Sequence, residues 1–282
     1  MHQITLVPIT MPGTMPGVKT IPGAKKYSMK LNHLIETLQR SVHPTPQQIQ
    51  QMVGDANLSA KDLMPWANFD HPITHSYGRQ LVFDGGHFEI MVMSWLPGDF
   101  SAIHDHGSTQ WGAVQCFGPA EHYTYRFADG VLSTLEPAHY TPGMVKAVDH
   151  DLIHQMGNSS PEPFLSLHVY GLSTSLKPGT ITGNARIFDL SEGSIQYTDG
   201  GVFFGLPESE IKGRLYGIRG DRTTTLRHHQ QMGNRLRRIL QHPLPHYSQQ
   251  HPNHRPVLDG NLQLKLHLLR HQQLALTVPV TH

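Results

Sequence analysis

The chain is poor in cysteine: Cys116 is the only one in 282 residues. A lone thiol excludes an internal disulfide, so nothing in the sequence calls for an oxidising compartment. Charge is scarce too. Asp, Glu, Lys and Arg make up 15% of the chain and the formal net charge is +1, which gives no ground for nucleic acid or a membrane surface as partner. No apolar run is long enough to span a bilayer. The opening MHQITLVPITMPGTMPGVKT also lacks the basic start and continuous apolar run of a signal peptide. The expectation is a soluble, cytoplasmic protein, and 38% hydrophobic residues over this length suffice for one large or two small domains. What the chain has in excess is histidine, 22 residues, many of them in the C-terminal third.

Residues 1–28 are rich in Pro and Gly and read as a flexible arm. Leu31, Leu34, Ile35 and Leu38 then recur at the spacing of one helix face. Thr45-Pro46-Gln47-Gln48 has an N-cap, a first-turn proline and a capping-box glutamine, and Ser59 with Asp62 repeats the signal more weakly. From about Tyr77 short runs of β-branched, aromatic and aliphatic residues are broken by turn clusters: Leu81–Phe83, Phe88–Leu96, Gly112–Phe117, His122–Phe127, Phe164–Tyr170, Ala185–Leu190 and Ser194–Tyr197. Such spacing predicts an antiparallel sandwich or barrel. Residues 207–282 form a basic, His- and Pro-rich extension of unknown role. Within it Ile211–Gln241 suits one or two amphipathic helices, His242–Asp259 a loop, and Leu262–Leu276 a strand or a helix. The extension carries no candidate site residue and is expected to be dispensable for chemistry.

The informative segment is Gly98-Asp99-Phe100-Ser101-Ala102-Ile103-His104-Asp105-His106. On a strand, His104 and His106 point to one face, and imidazole suits Fe, Cu, Ni and Zn rather than Mg or Ca. Alone, a His-x-His pair on a strand is more often polar surface than a ligand pair. His154-Gln155-Met156-Gly157-Asn158 completes a two-part pattern: Gly, five residues, His-x-His, and later His, three residues, Asn. This pattern resembles the cupins. The glutamate ligand that usually follows the first cupin motif is replaced by Gln110 or Trp111, leaving three neutral histidines with open positions on the metal.

Within the cupins the chain is similar to the cysteine dioxygenase family. Tyr77-Gly78-Arg79 with Leu81-Val82 resembles that family's Y-x-R-x-L-V strand, Asp105 and Gly118 match, and Ser166-Leu167-His168-Val169-Tyr170 resembles its S-L-H-x-Y motif. The likeness runs from about Met29 to Leu206. It implies a mainly β fold, a cupin-type antiparallel β-barrel (jelly roll) with N-terminal helices, over residues 29–206. It implies Fe(II) held by His104, His106 and His154, Arg79 with Tyr77 on the substrate carboxylate, and a Ser166–His168–Tyr170 relay beside the metal.

The implied reaction adds both atoms of O2 to the sulfur of L-cysteine, giving cysteine sulfinate, with a small thiol and O2 as the only partners. Arg79 favours cysteine over 3-mercaptopropionate, because dioxygenases preferring the latter tend to have glutamine there. Another small thiol, or a non-catalytic metal-binding cupin, are the alternatives, and the oligomeric state is not fixed. In animal members a cysteine five residues past the second ligand crosslinks to the motif tyrosine, and many bacterial members have glycine there. The position is Trp111 in this chain, which would then face the pocket, unless a short insertion at Ser108–Gln110 shifts the register.

Overall fold

The computed structural model describes residues 27–71, 75–173 and 181–241, apart from 205 and 207, together with 267 and 270. The readings of an N-terminal arm, of a loop over His242–Asp259 and of an element over Leu262–Leu276 lie almost wholly outside these residues.

Among the described residues three short α-helices come first. Helix α1 (Met29–Arg40) buries Leu31, Leu34, Ile35 and Leu38 along one stripe. Helix α2 (Pro46–Asp55) starts at Thr45, whose side chain accepts from Gln48 N–H while the Gln48 side chain accepts from Thr45 N–H. Helix α3 (Ala60–Leu63) opens with the Ser59–Asp62 box. These are the starts expected from side chains that satisfy orphan N–H groups.

Ten strands follow: β1 (Gly78–Asp84), β2 (Phe88–Trp95), β3 (Trp111–Cys116), β4 (Ala120–Ala128), β5 (Val131–Tyr140), β6 (Val145–Asp149), β7 (Ile153–Gly157), β8 (Phe164–Gly171), β9 (Ala185–Asp189) and β10 (Ser194–Thr198). The chain past Pro207 adds β11 (Gly213–Tyr216), β12 (Arg219–Gly220) and helix α4 (Arg222–Gln241). So part of the basic extension joins the sheets as strands, and the helical reading of Ile211–Gln241 holds only for its second part. One sheet runs β1-β2-β8-β3-β6, a second β12-β5-β4-β7 and a third β11-β10-β9. Every pairing is antiparallel except β12 with β5. This is the expected mainly β cupin-type jelly roll with N-terminal helices.

Strands β2 and β8 are buried along their whole length, save Glu89, and the pleat sorts their residues into two sets. Phe88, Ile90, Val92, Leu165, Leu167 and Val169 face outward, into a core shared with Leu31, Leu38, Ile49 and Val53 of the helices. Met91, Met93, Trp95, Phe164 and Tyr170 face inward, with Val114, Met156 and Ile187 of other strands. Fully burying each such aliphatic side chain is worth about 1.5–3 kcal/mol. The helices therefore let β8 keep an apolar outer face while its inner face carries Ser166, His168 and Tyr170.

Candidate metal centre and active site

The segment from Asp99 to His106 threads between β7 and β9. Ser101 N–H donates to Met156 O at 2.9 Å, His104 and His154 exchange both main-chain hydrogen bonds, and Phe188 N–H donates to Ile103 O at 2.8 Å. It is not the regular strand expected for His104-Asp105-His106. Pairing slips by one residue between Phe100↔Gly157 and His104↔His154, because the segment must serve two strands that do not continue one ladder. The two imidazoles nevertheless converge. Asp105 holds the turn: its carboxylate accepts from Gly107 N–H at 3.1 Å, from Arg186 N–H at 2.8 Å and from the Arg186 guanidinium.

His104, His106 and His154 are 6%, 3% and 2% exposed, and their ligand nitrogens all lie within 4.8 Å of one another. His154 Nε2 lies 3.2 Å from His104 Nε2 and 3.1 Å from His106 Nε2. The Ala102 carbonyl can only accept, so His104 Nδ1 carries a hydrogen, at 2.8 Å, and its Nε2 presents a lone pair to the cluster. Burial pushes the His104 pKa down to about 4 and those of His106 and His154 well below the ordinary value. Buried neutral imidazoles aiming lone pairs at one point repel each other unless a cation lies between them. Nitrogens about 3.1–3.2 Å apart also suit one ion with metal–nitrogen bonds of ~2.1 Å. These residues fit a metal ion.

His122, on β4, belongs to neither histidine motif. Its Nε2 lies 2.8 Å from His154 Nδ1. With His154 Nε2 turned to the cluster, Nδ1–H donates to His122, which fixes the tautomer and ring angle of His154, as neighbours of metal-binding histidines commonly do. In the sequence nothing separates His122 from the other histidines, since only the β4–β7 pairing brings it to His154.

Beside the cluster, Ser166, His168 and Tyr170 are joined in series: Ser166 Oγ is 2.7 Å from His168 Nε2, and His168 Nδ1 is 2.9 Å from Tyr170 Oη. Trp95 Nε1–H donates to Ser166 Oγ at 2.8 Å. An indole can only donate, so Ser166 Oγ accepts from it, and the direction that leaves no buried hydrogen on Ser166 unpaired runs Ser166 O–H to His168 Nε2, then Nδ1–H to Tyr170. The tyrosine O–H is left for the cavity. Burial lowers the His168 pKa to about 3 and raises that of Tyr170, so both are neutral. Trp95 was also not singled out, although it follows Met91 and Met93 at strand period on the inward face.

Tyr77 and Arg79 line the same cavity as the three imidazoles, His168 and Tyr170. Tyr77 stacks on Trp95 at 4.7 Å, and burial pushes its pKa up to about 12. Arg79 lies opposite Met93 across the β1–β2 ladder, and its Nε is buried without a hydrogen-bond partner.

The register of β3 settles the position beside Tyr170. Gly112, not Trp111, is paired with Tyr170, and a Cβ there would meet Val169 O at 2.4 Å and Tyr170 Cδ1 at 3.1 Å. Trp111 faces the outer core under the helices, against Gly171, where a Cβ would meet its ring at 2.0 Å. The expectation of a pocket-facing tryptophan is corrected, and the shifted register is the one observed. Gln110 is exposed and accepts from Ser173 N–H at 2.6 Å, so neither residue at the usual glutamate position reaches the cluster. Cys116 lies opposite Ser166, four residues along β3 from Gly112.

A jelly roll with three converging imidazoles inside it defines a cupin whose buried histidine cluster could hold a metal ion. The family model described as Cysteine dioxygenase type I matches residues 26–175. The chain belongs to that family and is a cysteine dioxygenase-like oxidoreductase. It is 28% identical over 150 residues, half of this chain and 73% of the relative, to a protein named Cysteine dioxygenase type 1 from Danio rerio. Among solved structures, an uncharacterised double-stranded β-helix protein of Klebsiella pneumoniae aligns over 40% of this chain and 90% of its own, at 19% identity and a TM-score of 0.30. A Thermus thermophilus protein aligns over 40% and 97%, at 22% identity and a TM-score of 0.31. Among the described residues no helix is long and apolar enough to cross a membrane.

Proposed function

We propose that this protein is an Fe(II)-dependent thiol dioxygenase that converts L-cysteine and O2 to cysteine sulfinate, both oxygen atoms going to sulfur. The observation that supports it is the meeting, in one cavity, of three neutral imidazoles with Arg79 and Tyr170. Iron bound by His104, His106 and His154 supplies the redox chemistry that joins O2 to the thiol.

The other residues bind and orient. The Arg79 guanidinium offers a planar fork to a carboxylate, a match a lysine lacks, with Tyr77 bordering the same end of the cavity. Ser166, His168 and Tyr170 work as a positioning relay: with Ser166 donating to His168 and His168 to Tyr170, the Tyr170 hydroxyl presents its hydrogen to whatever lies at the metal side. Since burial keeps that phenol protonated, it donates rather than holding a negative charge. The free, buried Cys116 suits a reducing, cytoplasmic setting.

The test is anaerobic loading with Fe(II) followed by oxygen uptake with L-cysteine, 3-mercaptopropionate and cysteamine. One O2 consumed per cysteine, with sulfinate as product, is the expected result. Faster turnover of 3-mercaptopropionate would move the substrate and keep the chemistry. Full iron occupancy in His154→Ala, or no uptake with any of the three, would overturn the reading.

A further inference from the structure

The family match ends at residue 175, yet Thr182, Gly200 and Val202 line the cavity, and α4 lies further along the chain still. Arg235 of α4 is buried, its side chain 5% exposed; its Nη2 donates to the main-chain carbonyl of His75, and its Nη1 lies 3.7 Å from Asp99 Oδ1. Asp99, 1% exposed, is a fixed anchor. It accepts from Leu96 N–H at 2.7 Å and pairs with His71 at 3.2 Å and Arg238 at 3.3 Å.

From His75 the structure leads straight to the cavity. The His75 ring lies parallel on Phe203 at 4.6 Å, Phe203 packs on Tyr77 at 4.8 Å, and Tyr77 stacks on Trp95 at 4.7 Å. Tyr77 and Arg79 follow His75 by two and four residues and line the cavity. Asp99, at the other end of the clamp, begins the segment that carries His104 and His106. A guanidinium can hold a carbonyl and a carboxylate together through separate N–H groups, which a single ammonium does poorly.

We propose that Arg235 is a positioning residue for substrate recognition: it clamps the His75 carbonyl to Asp99 and so fixes where the Tyr77–Arg79 stretch presents its guanidinium. The basic helix α4 is then part of the active-site frame. Burial lowers the pKa of Arg235 to about 10, with Asp99 opposing the fall, so it is charged at neutral pH. The carboxylate part of this inference rests on the function proposed above.

The test compares full-length Arg235→Met with Arg238→Met, which loses a contact to the same Asp99 but none to His75. Hydrogen exchange is followed over residues 75–81 and 153–157, alongside iron content and kinetics. Arg235→Met should retain iron and speed exchange over 75–81 about ten-fold, as a locally loosened segment does, leaving 153–157 unchanged. Its KM for L-cysteine should rise about ten-fold, the size of one weakened charge-assisted hydrogen bond, with kcat and cysteamine turnover little changed. Arg238→Met should behave as the parent. If Arg235→Met does not fold, Arg235→Lys, which keeps the charge without the fork, is read the same way. Unchanged exchange over 75–81, or equal losses with both thiols, would overturn the clamp. If the parent oxidises no thiol, the proposed function falls, and the exchange comparison alone decides the clamp.

Discussion

His122 Nε2 lies 2.8 Å from His154 Nδ1, so a fourth histidine orients the third imidazole of the buried cluster. Replacing His122 by Phe keeps a ring in place but removes the acceptor. Metal affinity should fall about 10–100-fold, the usual effect of losing such a partner. Chelator competition on the iron-loaded chain measures it, and an unchanged affinity would remove His122 from the site.

Arg79 is expected to act on substrates through their carboxylate. Arg79→Gln should raise KM for L-cysteine by roughly 10–100-fold, corresponding to a charge-assisted pair of about 1.5–3 kcal/mol. Cysteamine, which has no carboxylate, should be nearly indifferent. Parallel losses for both thiols would show that Arg79 only supports the β1–β2 ladder.

No thioether should form at Tyr170. Its neighbour across the ladder is Gly112, and Cys116 lies four residues further along β3, roughly 13 Å at strand spacing. Cys116 is fully buried, 3.9 Å from Met156 Sδ, and burial pushes its thiol pKa up, so it behaves as a small hydrophobe. Intact mass after turnover should show no loss of two hydrogens, and Cys116→Ser should retain most activity. A Cys116–Tyr170 linked peptide is incompatible with the register of β3.

The buried imidazoles make the metal-free protein acid-sensitive. His104 and His122 have pKa values pushed down to about 4 and His168 to about 3, against 6.5 when solvated. Between pH 6.5 and those values the unfolded chain binds more protons than the folded one. Stability is therefore fully present above 6.5 and lost as pH falls through the window, by up to about 1.4 kcal/mol per pH unit for each histidine. Urea midpoints of the metal-free chain at about pH 7.5, 6 and 5 should decline in that order, and a flat series would mean these rings are not held neutral.

Much of this protein was legible in the sequence because its signals are local. The Thr45–Gln48 box, the Leu31–Leu38 stripe and the alternation along β8 each specify an element through neighbours within a few residues. The two histidine motifs carry their own spacing, so the three candidate ligands and the Ser166–His168–Tyr170 series follow from residue order and resemblance, and the structure brings them together. The tertiary structure alone decided the rest. The β3 register, which puts Gly112 rather than Trp111 against Tyr170, depends on how the Gly107–Gln110 turn closes, and a slip of one residue exchanges the two faces of a strand. His122 and Trp95 reach the site across strand pairs, and Arg235 reaches the His75 carbonyl and Asp99 from a helix more than a hundred residues beyond His104. Periodicity tells which face of an element is buried, but which side chains meet across the core is set only when the sheets and α4 pack.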